Sequence, residues 1–366
     1  MSIVNLFKLY LIVTILLTCN MATKKKPTIS AIVTNYNGWE LGLLKDFFDT
    51  FLHSDFKDFE IFLVDMVSSD GSVEQVKKNF GKDKRLHLIQ NPVNNMSAGI
   101  GMAMKKAKGK YILFLNNDIY FAKGAIQKMV DFMDENKEIG QIQGKVVSYF
   151  DHTKIDSVGE SMDIYGNPKT LGVGETDDGQ YDKLREVLSV GGSSALYRAS
   201  LIKDIGILDP DYRIGYEDMD LSLRLRISGY KMYFFPDAVV YHRRGASTSK
   251  VSEELKAEIK FWFNKNRIAT IIKNYSWLNI LRSLPVIIVI YVFSGLFEIF
   301  YKGLWRFGLT RFRAIFWMFT NLPVLMKKRS KVQKLRKLPD SRAFIPFMSK
   351  GAILSGFKGF LESKRW

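Results

Sequence analysis

The chain of 366 residues carries a formal net charge of +17 that is unevenly distributed. Basic residues outnumber acidic ones more than three to one in residues 251–366, so residues 1–250 are nearly neutral. An enzyme that acts on nucleic acid normally has basic residues at its active cleft. Because the basic residues lie in the C-terminal part instead, the charge distribution indicates no nucleic-acid partner. The single cysteine, Cys19, excludes an intramolecular disulfide bond and is typical of a reducing compartment.

Residues 1–27 open with an apolar segment, residues 3–19, that is interrupted by Lys8. Its uninterrupted part, Leu9 to Cys19, is shorter than the about 20 residues of a membrane-spanning helix. No clear small-residue cleavage site of a signal peptide follows it. Two interpretations stay open: the segment is a weak membrane anchor, or Met21 is the true start of the protein.

Between Thr28 and Asn136 the signals for strands and helices alternate. The β-rich runs and the helical spacing predict strands at 28–34, 59–64, 86–90 and 111–115 and helices at 40–51, 72–80, 97–108 and 123–136. Strands that alternate with helices of about 10 to 15 residues indicate a mainly parallel sheet built by right-handed crossovers. We therefore expect an α/β domain over residues 28–250.

The fourth of these strands ends in a polar cluster. Lys110 to Phe121 reads KYILFLNNDIYF, an apolar run that can be buried on both faces and that stops at Asn116, Asn117 and Asp118. Open α/β sheets bind ligands at the carboxyl ends of their strands. Oxygen ligands at that place suit Mg²⁺ or Mn²⁺. A simple polar turn would have a similar composition.

The pattern changes after Ile139. Residues 139–198 mix short β-runs with glycines and acidic turns, and they predict an antiparallel or irregular addition with a mobile loop around residues 166–182. Further on, Lys231 to Phe235 predicts another strand, and Val239 to His242 predicts its short continuation after Pro236.

A second polar cluster, Gly215 to Asp220, opens a predicted helix that Gly229 would end. Acids in the first turn of a helix are stabilised by the helix dipole, and Asp220 can pair with Arg224. Three acids within four residues exceed what capping requires, so we expect a general base among them. His242 ends a strand, and a lone histidine is more often structural than functional.

The segment after the first strand excludes two nucleotide-binding folds. Neither a G-x-G-x-x-G motif nor a P-loop lysine motif follows it, which argues against a Rossmann dehydrogenase and a P-loop kinase. Residues 35–40 also lack Lys and Arg, whereas a sugar nucleotidylyltransferase needs a basic glycine-rich loop there. That class stays an alternative.

Five motifs follow one another along the chain: AIVTNYNG (31–38), IFLVDMVSSDGS (61–72), KYILFLNNDIYF (110–121), the segment from VGGSSALYR to LRISGY (190–230) and VVYHRRGAS (239–247). In this order and spacing, residues 28–249 resemble the inverting nucleotide-sugar glycosyltransferases of glycosyltransferase family 2, especially the rhamnosyltransferase-like branch. The resemblance implies the GT-A fold, a Rossmann-like, mainly parallel sheet flanked by helices.

The resemblance implies where a nucleotide-diphosphate sugar donor binds. Thr34 and Tyr36 would lie at the nucleotide, and Asp65 would lie in the base or ribose pocket. Asn117 would belong to a D-x-D-like motif at the donor. Gly191 and Gly192 would let the backbone approach the donor sugar or the acceptor.

The resemblance also implies the chemistry. Asp118 and His242 would hold a divalent metal, Mg²⁺ or Mn²⁺, at the diphosphate. Asp218, with Glu217 beside it, would be the catalytic base of a single displacement with inversion.

Two features depart from the family pattern. Met66 stands where many members have Asn or Asp, and amides at Asn116 and Asn117 replace acids. Asp118 is therefore the only carboxylate in that motif. These departures keep open the alternative of a catalytically degenerate binding or scaffold subunit.

Residues 251–366 predict a basic, helical, membrane-associated region. The apolar runs Leu284 to Phe297 and Ala314 to Met326 are each shorter than the about 20 residues of a span. Seven of the residues from Lys327 to Lys337 are basic. We expect a membrane-dipping hairpin or in-plane helices on an anionic membrane surface. The catalytic domain would then be cytoplasmic and the acceptor a lipid-linked or cell-surface polysaccharide. A soluble helical extension packed on the catalytic domain is the alternative.

Overall fold

The computed structural model describes residues 26–244 and 252–349. The predictions for the N-terminal apolar segment, including Cys19 and Met21, and for residues 245–247 of the last motif lie outside the described residues.

The strands and helices follow in chain order. The strands are β1 (Ile29–Asn35), β2 (Phe59–Asp65), β3 (Leu86–Gln90), β4 (Tyr111–Asn116), β5 (Ile119–Phe121), β6 (Ile139–Ser148), β7 (Ile155–Ser157), β8 (Glu160–Met162), β9 (Pro168–Thr170), β10 (Arg185–Glu186), β11 (Ala195–Arg198) and β12 (Lys231–His242). The helices are α1 (Leu43–Phe51), α2 (Ser72–Phe80), α3 (Met96–Lys106), α4 (Ala125–Glu135), α5 (Ile202–Ile205), α6 (Glu217–Ile227), α7 (Glu253–Asn274), α8 (Trp277–Phe300), α9 (Trp305–Thr320), α10 (Leu322–Gln333) and α11 (Asp340–Ala343).

One mixed sheet organises the α/β domain. Its strand order is β10-β12-β6-β11-β4-β1-β2-β3, with β5 added to β12 and β7 added to β6. Strands β3, β2, β1 and β4 are parallel neighbours, and β6 is parallel to β12. β11 lies antiparallel between β4 and β6 and joins the two parallel groups. The predicted α/β fold with a mainly parallel sheet is confirmed.

Two strands differ from the expectation. Residues 139–148 form a strand of 10 residues inside the main sheet, so the irregular addition begins after β6. β12 runs through Pro236 as one strand, with a shift of register between Phe235 and Val239. This shift gives Pro236 a place in the sheet, since proline is tolerated at bulges.

Helices cover both faces of the sheet. In β1, Ile29, Ala31 and Val33 pack into one core with α1 and α4, whereas Ile32 packs into the core on the opposite face. The alternation follows from the period of two residues in a strand. Since both faces are buried, the sheet exposes the carboxyl ends of its strands as the place where a ligand can enter.

The C-terminal helices pack on the α/β domain through a third core. Met219 and Leu223 of α6 pack there with Ile268 and Ile272 of α7. Ion pairs reinforce this contact, because Lys273 Nζ lies 2.8 Å from Asp209 Oδ2 and 3.0 Å from Asp220 Oδ1.

Helix α8 corrects one prediction. Its 24 residues include the whole apolar run from Leu284 to Phe297, and it is long and apolar enough to cross a membrane. The run therefore lies within a longer helix than its own length predicted. Among the described residues it is the one helix that meets this criterion, which a buried core helix also satisfies. Only 28% of the most apolar stretch of this helix is buried.

Candidate active site

Strands β1, β2 and β4 bring the first polar cluster together at their carboxyl ends. The parallel register places Thr34 beside Asn116 and Asn35 beside Asp65. Asn117 Nδ2 donates a hydrogen bond of 2.8 Å to Asn35 Oδ1. A cleft of about 400 Å³ opens here, and its lining includes Thr34, Asn35, Tyr36, Met66, Asn116, Asn117, Asp118, Arg213 and Trp262.

Asp118 and His242 meet at this cleft although they are far apart in the chain. β5 pairs with the end of β12, so Ile119 lies opposite His242. His242 Nε2 is 3.4 Å from Asp118 Oδ2, and both side chains are largely buried. The second carboxylate oxygen, Asp118 Oδ1, is buried without a hydrogen-bond partner among the described residues. Asp118 Oδ1 is therefore an oxygen that a bound cation could use.

Asp156 orients His242 from behind. Its Oδ2 lies 2.6 Å from His242 Nδ1, and its Oδ1 lies 2.6 Å from Arg244 Nε. Burial opposes the charged imidazole, but the hydrogen bonds with Asp118 and Asp156 outweigh this effect and raise the pKa of His242 to about 9. Sequence reasoning missed Asp156, because it lies in the irregular segment after β6, where no motif marks it.

The described residues fit a divalent metal with few protein ligands. No group of three or more His, Cys, Asp or Glu that could hold a metal occurs in residues 26–244 and 252–349. Asp118 offers one carboxylate, and His242 offers one imidazole nitrogen once a metal displaces the proton from Nε2. Asp156 acts as the outer partner that metal-binding histidines usually have. Such a site leaves coordination positions for substrate oxygens and water, as Mg²⁺ and similar ions prefer.

Asp65 lies under the cleft rather than on its surface. Its Oδ1 accepts hydrogen bonds from Asn35 Nδ2 at 3.1 Å and from Ser68 Oγ at 2.5 Å, and its Oδ2 accepts one from Ser68 N at 3.0 Å. The side chain is buried and is not part of the cleft lining. In this arrangement Asp65 fixes the two loops that follow β1 and β2.

Asp218 lies at a second cavity that adjoins the first. This cavity measures about 300 Å³, and the two share Thr34, Met96, Asn116 and Ile214. Asp218 Oδ2 accepts a hydrogen bond from Gly192 N at 3.2 Å, and Oδ1 accepts one from Met219 N at 2.7 Å. Burial raises the pKa of Asp218, although these amide donors oppose the shift.

Glu217 lines the same cavity and has a more strongly raised pKa. Burial, together with the negative charge of Asp218, raises its pKa to about 8. Its Oε2 is buried without a partner among the described residues. Burial thus makes both acids harder to ionise, while the amides of Gly192 and Met219 favour the charged form of Asp218.

Gly191 and Gly192 pass close to these carboxylates. A Cβ at Gly191 would lie 3.4 Å from Glu160 Oε1, and one at Gly192 would lie 3.6 Å from Asp218 Oδ2. Glu160 is a third acid of the site that sequence reasoning missed. Burial, reinforced by the charges of Asp218 and Glu217, raises its pKa well above the ordinary value.

Asp220 has a structural position instead. It is fully buried, and its Oδ2 lies 3.0 Å from Arg224 Nε, as the spacing of four residues predicted. Its Oδ1 also accepts hydrogen bonds from Tyr212 Oη at 3.2 Å and from Asn274 Nδ2 at 2.9 Å. All of its acceptor positions face protein donors, so it is not placed to act as a base.

Strained backbone surrounds the two cavities. The non-glycine residues with positive φ in the described structure are Asn37, Val67, Arg213 and Tyr216, with φ of 51°, 63°, 61° and 70°. Each is adjacent to a residue that lines one of the cavities or lines one itself. Such conformations cost about 1–3 kcal/mol each and cluster at functional sites. They mark this edge of the sheet as the active region.

Comparisons with known proteins show what the chain is similar to. Residues 30–206 match the family model described as Glycosyl transferase family 2. An uncharacterized glycosyltransferase of Haemophilus influenzae is 32% identical over 114 residues, which cover 30% of this chain and 44% of the relative. The poly(ribitol-phosphate) beta-glucosyltransferase of Bacillus spizizenii is 24% identical over 221 residues, 58% of this chain and 32% of the relative. The chain thus spans less than half the length of these two relatives.

A solved structure shows the fold. The crystal structure of GalNAc-T7 with UDP, GalNAc and Mn²⁺ has a TM-score of 0.57 and 15% sequence identity, and the match covers 79% of this chain and 55% of that one. The likeness, together with the sheet topology, shows the GT-A fold that the sequence motifs implied.

Proposed function

We propose that the protein is an inverting glycosyltransferase that moves a sugar from a nucleotide-diphosphate donor to a lipid-linked or polysaccharide acceptor of the cell envelope. The observation that supports this most is the arrangement of two adjoining cavities. One is lined by Asp118, which contacts His242 behind it, and the other is lined by Asp218; both reach Thr34 and Asn116. Displacement at an anomeric carbon needs such an arrangement, with the leaving group on one side and the proton acceptor on the other.

The larger cleft suits the nucleotide. Tyr36, Met66 and Trp262 supply apolar and aromatic surface for a base, and Arg213 stacks 4.3 Å from the Trp262 ring. Arg213 also brings a positive charge to the cleft, which a diphosphate requires. Thr34 lies at the junction of the two cavities, and Asp65 holds the loops below. The rhamnosyltransferase-like motifs make deoxyhexose nucleotides the first donors to examine.

Asp118 and His242 would hold Mg²⁺ or Mn²⁺. A bound cation at this place offsets the negative charge that develops on the diphosphate leaving group. Asp156 keeps His242 Nε2 directed at Asp118, while Asn117 and Asn35 hold each other at the mouth of the cleft. The presence of Mn²⁺ in the GalNAc-T7 structure supports this assignment.

Asp218 would accept the proton of the acceptor hydroxyl. The amides of Gly192 and Met219 fix its carboxylate in place. Burial raises its pKa and makes it a stronger base than an exposed aspartate. Glu217, with a pKa of about 8, is mainly protonated at neutral pH and would donate rather than accept a hydrogen bond. Attack from the side of Asp218 inverts the anomeric centre.

The alternatives have less support. A nucleotidylyltransferase needs basic residues in the loop after β1, and residues 35–40 contain none. A degenerate scaffold subunit would have no reason to retain buried, unpartnered carboxylates at both cavities.

We also propose that the exposed apolar side of α8 keeps the protein at the cytoplasmic side of a membrane.

A donor screen tests the proposed function. Full-length protein is incubated with UDP-, GDP- and dTDP-sugars, with Mn²⁺ or with a chelator, and release of the nucleoside diphosphate is measured. We expect one donor class to be hydrolysed or transferred only with the metal, and the product to have the opposite anomeric configuration by NMR. A product that retains the configuration would contradict the inverting mechanism, and activity with no donor would contradict the function.

A further inference from the structure

A third cavity lies behind the loop that precedes Glu217. It measures about 550 Å³, and its charged lining residues are all cations: Lys256, Lys260, Arg267 and Arg311. Aromatic rings complete the lining, from Tyr216, Phe263, Tyr291 and Phe307. No carboxylate occurs among the described residues that line it. We call this cavity the basic cavity.

The cations of the basic cavity are held in place by groups outside its lining. Glu298 serves two of them, because its Oε1 lies 2.7 Å from Lys260 Nζ and 2.9 Å from Arg311 Nη2. Arg267 Nε donates to the neutral carbonyl oxygen of Tyr165 at 2.6 Å. Lys256 pairs with Glu253 at the exposed end of the cavity. Since the lining itself contains four basic side chains and no carboxylate, an anionic ligand fits the cavity.

The basic cavity is continuous with the active region. Ile259 lines both the basic cavity and the donor cleft. Tyr216 lines the basic cavity, and the next two residues are Glu217 and Asp218 of the second cavity. Phe263 stands directly over Gly215, where a Cβ would lie 2.7 Å from its ring. A ligand in the basic cavity therefore lies against the segment that carries the proposed base.

Helix α8 connects the basic cavity with an exposed apolar surface. Tyr291 faces the cavity, whereas Val289, Phe293 and Phe300 of the same helix are exposed. Phe293 is 69% exposed and Phe300 is 82% exposed, and no charged residue interrupts the face between them. A lipid that lies along this face can place its polar end at the cavity.

We propose that the basic cavity binds the phosphate group of a lipid-linked acceptor, whose hydrocarbon chain leaves along α8. This inference rests on the proposed function and specifies its acceptor. The cations complement a phosphate or diphosphate, and the aromatic rings complement the first part of a hydrocarbon chain. A water-soluble phosphate polymer would use the cations but not the aromatic lining or the exposed face of α8.

Vesicle flotation of the full-length protein tests this inference. Neutral phosphatidylcholine vesicles are prepared alone, with a polyprenyl phosphate, or with the same amount of the polyprenol that lacks the phosphate. We expect binding to the polyprenyl phosphate vesicles to be at least ~10-fold tighter than to the polyprenol vesicles. Inorganic phosphate and soluble poly(glycerol phosphate) serve as competitors, and we expect neither to displace the protein at equal phosphate concentration.

Substitutions test whether the preference for the phosphate depends on the basic cavity. The Lys256→Gln, Lys260→Gln variant should lose most of the preference for the phosphate. The matched control Arg306→Gln, Arg313→Gln removes two cations of α9 that form surface ion pairs with Glu254 and Glu258 outside the cavity, and it should keep the preference. If the double variant melts at a lower temperature, Lys256→Gln alone, at a half-buried position, should still give a smaller loss in the same direction.

The outcomes separate this inference from the proposed function. Equal losses in the cavity variant and the control would show a general surface charge effect and overturn the inference. Effective competition by soluble poly(glycerol phosphate) would overturn it too, in favour of a polymer. Metal-dependent donor hydrolysis without any phosphate preference overturns the inference alone. A phosphate preference without donor use contradicts the proposed function alone.

Discussion

The buried charges at the active edge of the α/β domain differ from those in the C-terminal helices. At the carboxyl ends of the strands, Asp118 Oδ1 and Glu217 Oε2 are buried without a hydrogen-bond partner among the described residues. In the helices, buried Lys273 contacts two carboxylates. Buried Arg329 donates to the carbonyl oxygens of Ile272 and Tyr275, each at 2.6 Å.

This difference separates scaffold from site. A buried polar group without a partner is costly, whereas a paired one is tolerated. Unpaired buried groups therefore persist mainly where a ligand or a reaction uses them. Because Asp118 and Glu217 also line the two adjoining cavities, these carboxylates mark the active region. The paired cations of the helices fix one part of the protein to the other.

The basic cluster from Lys327 to Lys337 also contains both paired and exposed side chains. Arg329 is buried, and Lys328 Nζ lies 2.5 Å from both Asp209 Oδ1 and Asp211 Oδ2. Lys327, Lys331, Lys334 and Lys337 remain exposed. Part of the charge that the sequence assigned to a membrane surface therefore holds α10 on the α/β domain. The exposed lysines are the ones we expect at anionic lipid.

The strongest test of the comparison is Asp218→Asn. The substitution keeps the shape of the side chain and removes the proton acceptor, so we expect transfer to fall by ~100- to 10,000-fold. Donor affinity, measured by calorimetry, should change little. Glu217→Gln is the matched control, since a carboxyl that is mainly protonated at neutral pH loses little when it becomes an amide. Unchanged turnover in Asp218→Asn would move the role to Glu217.

The second test breaks a paired charge in the helices. Lys273→Met leaves Asp209 and Asp220 without one partner, and we expect the free energy of unfolding to fall by about 3 kcal/mol. The loss is at the lower end for a buried pair, since Lys328 and Arg224 still contact these carboxylates. Chemical denaturation measures it.

The control for Lys273→Met is an exposed pair of the same region. Arg306→Gln removes the contact with Glu254, and an exposed ion pair contributes little to stability. Equal effects of the two substitutions would show that burial does not distinguish these ion pairs.

A third test concerns the orientation of His242. Asp156→Asn weakens the hydrogen bond to Nδ1, and outer partners of this kind change metal affinity by ~10- to 100-fold. Mn²⁺ binding, measured by electron paramagnetic resonance in the presence of the nucleoside diphosphate, should weaken accordingly. Asp151→Asn, an exposed acid just before β7, should leave Mn²⁺ affinity unchanged. Equal affinity in Asp156→Asn and the wild-type protein would refute this orienting role.

The smallest expected effect concerns a contact between α7 and the loop before Glu217. Asn266 of α7 donates to the carbonyl oxygens of Tyr212, Ile214 and Gly215 at 2.8, 3.0 and 2.8 Å. These residues lead directly to Glu217 and Asp218. Asn266→Ala loosens this loop, so we expect kcat to fall by up to ~10-fold, since each lost hydrogen bond is worth about 1 kcal/mol.

Asn279→Ala is the matched control for Asn266→Ala. It removes a buried hydrogen bond of 2.7 Å to Asp340 within the C-terminal region, remote from the loop. It should lower stability without lowering kcat at a temperature where both variants are folded. A fall in kcat of equal size would mean that the helices affect the site only through overall stability.

The sequence by itself determined the α/β order of the domain and the ends of its strands. Apolar runs of strand length and helices of suitable spacing are local features, and parallel strands place their carboxyl ends at one edge. The meeting of Thr34, Asn116, Asn117 and Asp118 follows from that rule. The pairing of Asp220 with Arg224 was also predictable, because a helix places residues four apart on one side.

Only the tertiary structure decided the partners of these residues. Asp156 reaches His242 from 86 positions away, out of a segment without a repeating pattern. Asn266 and the cations of the basic cavity approach the loop before Glu217 from helices that the sequence assigned to a membrane. The length of α8 also exceeds its apolar run, because buried polar residues such as Asn279 and Glu298 pair within the fold. The periodicity of apolar residues indicates which side of a helix or strand is buried. Which residues that side contacts depends on the long-range packing of the chain.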